Sequence, residues 1–175
     1  MKRKKPILIT NRLVLKSISL NDQDIMLDLL TNIDIKRYYM IPDYDTKQEV
    51  INLFKKQIEF CNDDKHFEYG IYFEDKLIGF INGCEIEGDT IELGYVISPD
   101  KQNNGFASEA LKACIDELFD MGFKHIVAGY FVENLASKRV MEKVGMHKTD
   151  KEDAIEYKGV KHKTEYYGID YERVN

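Results

Sequence analysis

Cysteine is scarce in this chain. Cys61, Cys84 and Cys114 are three in number and widely spaced, which fits neither a disulfide framework nor the paired spacing of a zinc site. The four histidines, His66, His125, His147 and His162, include no i, i+4 pair. Each therefore reads as a surface or core residue rather than a ligand, and a metal enzyme is disfavoured. No apolar run approaches the roughly 18 residues of a membrane span. The basic tail Lys2-Arg3-Lys4-Lys5 is not followed by the apolar segment of a signal peptide. Positive charge is short overall: 25 Lys and Arg against 31 Asp and Glu leave a net charge of −6. That is the wrong field for general binding to nucleic-acid phosphates. The expectation is a cytoplasmic protein with no metal, no nucleic-acid partner and no membrane contact.

What is present is the composition of a folded chain. Hydrophobic residues are 43% and charged residues 32% of 175 positions, enough to bury a core. No repeat, low-complexity tract or linker interrupts the chain, so residues 1–175 read as one domain. Ile7 to Ile18 alternates as a first strand. Asn21-Asp22 opens a helix with Ile25, Met26, Leu29, Leu30 and Ile33 as its apolar stripe. Thr46-Lys47-Gln48-Glu49 is a capping box, and the helix it starts has Val50, Ile51, Phe54 and Ile58 on its inner face. Runs at His66–Phe73, Leu77–Ile86 and from Thr90 onward are joined by Glu74-Asp75-Lys76 and Glu87-Gly88-Asp89. Short strands with tight turns make an antiparallel meander. Met146–Tyr157 and Lys163–Tyr171 read as two last strands around Lys158-Gly159-Val160.

The stretch between meander and final strands carries the chemistry. Ile91-Glu92-Leu93-Gly94-Tyr95-Val96-Ile97 is an apolar run stopped by Ser98-Pro99, and a polar loop with one glycine follows. From Ser108 the residues Ala110, Leu111, Cys114, Ile115 and Leu118 recur at helical spacing, up to Gly122. A strand, a small-residue turn and a helix N-terminus make an anion site. The first-turn N–H groups lack partners and the helix dipole is positive there. A Walker loop needs Lys-Ser/Thr where Phe106-Ala107 stand, and the dinucleotide fingerprint needs more glycines than Gly105. Gly105 by itself also fits a plain tight turn. Lys124–Phe131 then reads as a strand, and Asn134 as the N-cap of a short helix ending at Gly145. On that helix Ser137, Val140, Met141 and Val144 share one face, with Lys138, Arg139, Glu142 and Lys143 largely opposite.

In this order, the strand, the Q-x-x-G-x-A loop, the helix, the second strand, the N-x-x-S helix and V-G-M resemble the acyl-CoA core of the GNAT acetyltransferase superfamily. Residues 92–95, 105–111 and 134–145, with the opening Thr10-Asn11-Arg12-Leu13-Val14-Leu15, resemble its RimJ/RimL-like branch over nearly the whole chain. Two departures stand out. Gln102-Asn103 replaces the usual Arg or Trp followed by Gly, and Met141 stands where many superfamily members carry Tyr.

The resemblance implies a mixed α/β fold, the GNAT acyl-CoA N-acyltransferase fold, whose central, mostly antiparallel sheet has splayed strands flanked by helices. It implies transfer of acetyl from acetyl-CoA to a primary amine, either a protein N-terminal α-amine or a small molecule. No Cys or Ser lies beside a His as a nucleophile–base pair, which favours direct attack in a ternary complex. The implied CoA contacts are the bulged strand at Tyr95, Val96 and Ile97, the loop residues Gln102, Asn103, Asn104, Gly105, Phe106, Ala107 and Ser108, and Asn134 with Ser137. Pro99 would end strand pairing, and Asn103 accepts left-handed backbone more readily than most residues. A strand N–H near Tyr95 is the implied donor to the thioester carbonyl.

Ser137 is the implied proton donor to the leaving thiolate; its ordinary alternative is a first-turn capping serine. Glu92 is the candidate general base, and equally a solvated strand charge opposite Leu93 and Tyr95. Tyr38, Tyr39 and Tyr44 read as helix-to-sheet packing or as a wall of the acceptor cleft. Glu68, Glu85, Glu87 and Asp89 add an acidic bias toward a cationic acceptor. A regulatory module that binds acyl-CoA without catalysis is the alternative of a different class. The late hairpin offers an edge for a homodimer.

Overall fold

Alternating apolar residues and closely spaced turns build eight strands, among the described residues, into one open sheet. The computed structural model describes residues 5–172, so Lys2, Arg3 and Lys4 of the basic tail lie outside the described residues. The strands are β1 (Leu8–Ile9), β2 (Leu13–Lys16), β3 (Glu68–Phe73), β4 (Lys76–Glu87), β5 (Thr90–Ile97), β6 (His125–Phe131), β7 (His147–Tyr157) and β8 (Val160–Asp170). Their spatial order is β1-β2-β3-β4-β5-β6-β8-β7, antiparallel throughout except for β5 beside β6. The helices are α1 (Gln23–Thr31), α2 (Ile33–Lys36), α3 (Lys47–Asn62), α4 (Phe106–Asp120) and α5 (Leu135–Lys143). This is the mixed α/β fold with a mostly antiparallel sheet that the sequence led us to expect. No helix among the described residues is long and apolar enough to cross a membrane.

Turn chemistry sets the meander. Glu74 and Asp75 have φ of 49° and 61° between β3 and β4, and Lys158 and Gly159 have 51° and 74° between β7 and β8. Two central residues with positive φ match the right-handed twist of the strands they join. The run from Ile7 to Ile18, expected as one strand, is a hairpin. Thr10 Oγ1 accepts from the Leu13 N–H at 2.9 Å, and the Thr10 N–H donates to the Leu13 carbonyl at 2.9 Å. This local bonding breaks the ladder at Asn11-Arg12.

The α1 stripe also differs from its periodicity. Met26, Leu27, Leu29 and Leu30 are buried, whereas Ile25 and Ile33 are exposed. Asn32 accounts for Ile33: its side chain accepts from the Asp34 and Ile35 N–H groups and caps a new helix, α2, with its own phase. The capping box of α3 forms as its sequence implies. Thr46 Oγ1 accepts from Glu49 N–H at 3.3 Å, and Glu49 Oε2 accepts from Thr46 N–H at 2.9 Å. Val50 and Phe54 of α3 are buried as expected, Ile51 and Ile58 are half-buried, and Gln57 and Cys61 join the inner face.

Apolar side chains cover both faces of the sheet. One cluster joins Leu93, Leu111, Ile115 and Met141 on the α4–α5 side, and the other joins Met26, Leu30, Phe54 and Phe80 on the α1–α3 side. A strand covered on both faces loses its alternation, so β3 is buried almost throughout. That burial includes Glu68, only 4% exposed, with Oε1 lacking a hydrogen-bond partner. Burial pushes its carboxyl up to about 8, against the pull of Lys5 and a hydrogen bond with Gln57.

The folded pKa therefore lies above the roughly 4.3 of an unfolded glutamate. The stability this group supports is intact below that value and is lost as pH rises through about 8. Glu68→Gln is expected to gain stability relative to wild type between about pH 5 and pH 9. Urea midpoints across that range check it; a difference that stays constant with pH would contradict the buried neutral carboxyl.

Candidate active site

The site begins where two parallel strands part. β5 and β6 pair only at Thr90↔His125, Ile91↔Ile126 and Glu92↔Val127. From Leu93 onward β5 keeps its ladder with β4 but has no β6 partner, while β6 continues against β8 as far as Phe131↔Thr164. A cleft of about 820 Å³ opens in the gap. The expected bulge lies on the neighbouring strand instead of on β5. Gly83 pairs with Leu93 and Glu85 with Glu92, so the additional residue is Cys84 of β4. An unpaired extra residue bends and twists its ladder, here at the level where β6 departs. Two glycines keep the gap passable. A Cβ on Gly94 would come within 2.9 Å of Cys84 Sγ and 3.1 Å of the Tyr39 ring, and one on Gly129 within 2.8 Å of the Tyr166 ring.

At the C-terminal end of β5 the loop runs into a helix N-terminus, the geometry that suits an anion. Gln102 Nε2 donates to the Ile97 carbonyl at 3.0 Å. Asn103 and Gly105 both take left-handed backbone, with φ of 61° and 80°, and α4 starts directly after Gly105. The helix thus begins at Phe106, two positions before the Ser108 expected from periodicity. Ser108 Oγ donates to the Gly105 carbonyl at 2.9 Å. Gln102, Asn103, Gly105, Phe106, Ala107 and Ser108 all line the cleft. Asn104 stands off its wall: its amide ties the loop to the Lys101 and Gln102 carbonyls, and its own carbonyl accepts from Arg12 at 3.0 Å.

A helix N-terminus is worth about 0.3–1 kcal/mol to an exposed anion, too little to hold a pyrophosphate. Cationic side chains supply more. Lys143 Nζ and Arg12 Nη2 lie 3.4 Å and 3.5 Å from the position a Cβ on Gly105 would take. Arg139 and Lys143 of α5 line the cleft, which corrects their assignment to the outer face of that helix. Their i, i+4 spacing on the helix carrying N-x-x-S was the available signal. Arg12 gave none; its ion pair with Glu109, 2.7 Å from Nη2 to Oε2, exists only because β2 lies beside α4.

β5 sends its candidate chemical groups to opposite faces. Tyr95 packs toward the α4–α5 cluster, where its hydroxyl lies 2.8 Å from Ser137 Oγ and 3.2 Å from the Ser137 carbonyl. Asn134 Oδ1 accepts from the Ser137 N–H at 3.2 Å and seats that serine in the first turn of α5. Burial raises Tyr95 to about 12 against the opposing Ser137 hydrogen bond, so its proton stays in place at neutral pH. The Tyr95 hydroxyl escaped sequence reasoning, which used only the backbone there. Val96 and Ile97 also line the cleft.

Glu92 faces the other side. It lines the cleft with its side chain 22% exposed, and is therefore not a freely solvated strand charge. Burial raises its pKa, Lys151 at 4.0 Å opposes the rise, and Glu85 and Asp153 reinforce it. Tyr39 fills both roles considered for it, packing edge-on to Phe80 at 5.6 Å and lining the cleft, where its hydroxyl donates to Asn82 Oδ1 at 2.6 Å. Tyr38 also lines the cleft, whereas Tyr44 packs against the α1–α3 cluster. Of the acidic residues, Glu87 is exposed at the β4–β5 turn, and Asp89 pairs with Lys124 at 2.7 Å. Among the described residues no three His, Cys, Asp or Glu side chains gather as metal ligands.

A sheet parted beside a helix N-terminus, with proton-bearing groups at the point of parting, is the cleft of an acyl-CoA-dependent transferase. Residues 12–147 match the family model described as an acetyltransferase (GNAT) domain. The chain is 30% identical over 148 residues to the uncharacterized N-acetyltransferase YoaA of Bacillus subtilis (strain 168), covering 82% of this chain and 84% of that protein. It superposes on the crystal structure of a GNAT-family acetyltransferase from Bacillus anthracis with a TM-score of 0.81 and 25% identity, over 94% and 98% of the two chains. The Microcin C7 self-immunity acetyltransferase MccE, solved with acetyl-CoA and AMP, superposes with a TM-score of 0.83 at 18% identity, over 96% and 98%. The chain belongs to the GNAT acetyltransferase domain family and is an acetyl-CoA-dependent N-acetyltransferase.

The Gly105 turn yields a direct test. Gly105→Glu forces a side chain and a negative charge into a left-handed position between Lys143 and Arg12. CoA binding, measured by calorimetry on folded protein, is expected to disappear. Unchanged affinity would remove the phosphate role of this loop.

Proposed function

We propose that the parted strands hold acetyl-CoA for direct attack by a primary amine in a ternary complex, with Glu92 and the Tyr95–Ser137 pair handling the two protons. The observation that carries this reading is their separation across β5. A carboxylate with raised pKa stands on one face, and two hydroxyls 2.8 Å apart stand on the other. The residues present suit the co-substrate. Unpaired backbone from Leu93 to Ile97 matches an amide-bearing arm, and the Gly105 turn with Arg139 and Lys143 matches its phosphates. Acetyl-CoA supplies an activated acyl group; the remaining work belongs to the chain.

That work is proton management. A bond forms between the amine nitrogen and the acyl carbon, and the carbon–sulfur bond breaks. The amine proton passes to Glu92, directly or through a water. The departing sulfur takes a proton from Ser137 Oγ, which the Tyr95 hydroxyl orients across the 2.8 Å hydrogen bond, and the proton that Glu92 gives up to water restores the serine. The unpaired strand edge beside Tyr95 is the place for an N–H donor to the thioester oxygen. Support for acetyl transfer also comes from the N-acetyltransferase relatives described above.

Two variants separate the roles. Ser137→Ala is expected to lower kcat by about 10- to 100-fold, the low range for a positioned proton donor, with little change in KM for acetyl-CoA. A serine that only caps α5 would cost thermal stability and leave kcat intact. Glu92 acts as a base only when ionised, so kcat/KM should rise with pH through its raised pKa. Glu92→Gln should lose that limb, fall by roughly 10²- to 10⁴-fold near neutrality and recover in part at high pH, where the amine deprotonates unaided. An unchanged limb and rate would assign deprotonation elsewhere. CoA binding without turnover on any of a panel of amines and N-terminal peptides would instead favour a regulatory acyl-CoA-binding module.

A further inference from the structure

The ladder between β7 and β8 breaks at one place. Lys148 pairs with Tyr167 and Glu152 with Glu165, so Thr149, Asp150 and Lys151 stand against Tyr166 alone. Additional residues on one strand cost ladder bonds, and bulges of this kind re-aim side chains beside active sites. Thr149 holds this one in shape. Its Oγ1 donates to the Tyr166 carbonyl at 3.1 Å and accepts from the Lys151 N–H at 3.3 Å. The side chain that the bulge redirects is Lys151. Its Nζ lies 4.1 Å from the centre of the Tyr166 ring and 4.0 Å from Glu92 Oε2. Tyr166 and Glu92 both line the cleft.

The surroundings of Glu92 give that cation a task. β4 brings Glu85, in register with Glu92, and Cys84; β7 brings Asp153 and Lys151; β8 brings Tyr166. β6 places Val127 in register with it. Burial pushes the Cys84 thiol up to about 12 and raises the Tyr166 hydroxyl, so both stay neutral near neutrality. Glu92 is left beside the carboxylates of Glu85 and Asp153 and the ammonium of Lys151. Tyr166 engages one of each sign. Its hydroxyl donates to Asp153 Oδ2 at 2.9 Å, and its ring face attracts the Lys151 ammonium. Burial, Glu85 and Asp153 all favour the protonated form of Glu92, and of these groups Lys151 opposes them. A carboxyl that enters the reaction protonated cannot take a proton.

We propose that Lys151 is a positioning residue for acetyl transfer: the β7 bulge aims its ammonium across the face of Tyr166 at Glu92, and that charge keeps the carboxylate ionised among its acidic neighbours, ready for the amine proton. This rests on the reading of Glu92 as the base, and two readouts keep the two apart.

The first readout needs no acceptor. In protein isotope-labelled at the glutamate carboxyl carbons, the Glu92 resonance is identified by its loss in Glu92→Gln. It is then followed by NMR against pH in wild type, Lys151→Met and Lys151→Arg. Lys151→Met keeps an apolar stem and removes the charge. Glu92 should titrate about 0.3–0.7 pH unit higher in it, the worth of a half-exposed ion pair, and Lys151→Arg should return it close to the wild-type value. The second readout is kcat/KM against pH with the N-terminal peptides as acceptors. In Lys151→Met the rising limb should move up by the same interval, a loss of roughly 2- to 5-fold along the limb that fades at higher pH. A Glu92 titration unmoved by Lys151→Met, with only the melting temperature lowered, overturns the inference and leaves Lys151 as a residue of the fold. A titration that moves while the rate limb stays fixed overturns the role of Glu92 as base, and with it the part of Lys151 in the reaction.

Discussion

Everything in this molecule follows from a ladder that is started and not finished. Backbone N–H and C=O groups are obligatory hydrogen-bonding groups, and β5 leaves its β6-facing groups without a strand partner from Leu93 onward. A sheet interior that ends in unpaired backbone tolerates that state only if water or a ligand completes it. The surroundings enforce the gap. Cys84 bulges β4 beside it, β6 is held by β8, and α5 crosses at its far end with Ser137 under Tyr95. Closing the gap would require all of these to move together.

The charge distribution follows the same division. Arg12 and Lys143, from two parts of the chain, close on the Gly105 turn, and Arg139 lines the same cleft. Carboxylates gather on the other side, where Glu92 lies near Glu85 and Asp153. That division suits the proposed reading, with the anionic co-substrate at one end of the cleft and an amine acceptor at the other. The β7–β8 hairpin completes the side of the cleft that holds Glu92. The Tyr157 hydroxyl lies 2.8 Å from the Lys36 carbonyl and Lys158 lies 2.7 Å from Asp43, which ties the hairpin tip to the end of α2. Its long strands carry Thr164, Tyr166 and Ile155 to the cleft.

Buried polar groups divide into those the fold satisfies and those it does not. Tyr95 and Ser137 satisfy each other. Lys5 is held by the carbonyls of Phe60, Asp63 and His66 at 2.6–2.9 Å, at the end of α3. Glu68 and Thr164 each retain an oxygen with no partner among the described residues. The first lies on β3 against Gln57 of α3, where burial raises its carboxyl. The second belongs to a residue of β8 that lines the cleft.

The amino-acid sequence by itself determined what depends on residues within about one helical turn of each other. The Thr46–Glu49 box, the Asn134 cap, the left-handed Asn103 and Gly105, and the order of strands and helices from α3 onward were all legible, because caps and turns are local bonding patterns. The candidate residues of the Gly105 loop were legible for the same reason. Tertiary structure alone decided the rest. Tyr95 meets Ser137 across 42 residues, and Arg12 meets Asn104 across 92. The bulge falls on β4 rather than β5, Arg139 and Lys143 turn toward the cleft, and Glu92 is half-buried rather than solvated. Each depends on strand register, sheet twist and the rotation of α5 over the gap. Those are set by packing on both faces of the sheet, a constraint that no local periodicity contains.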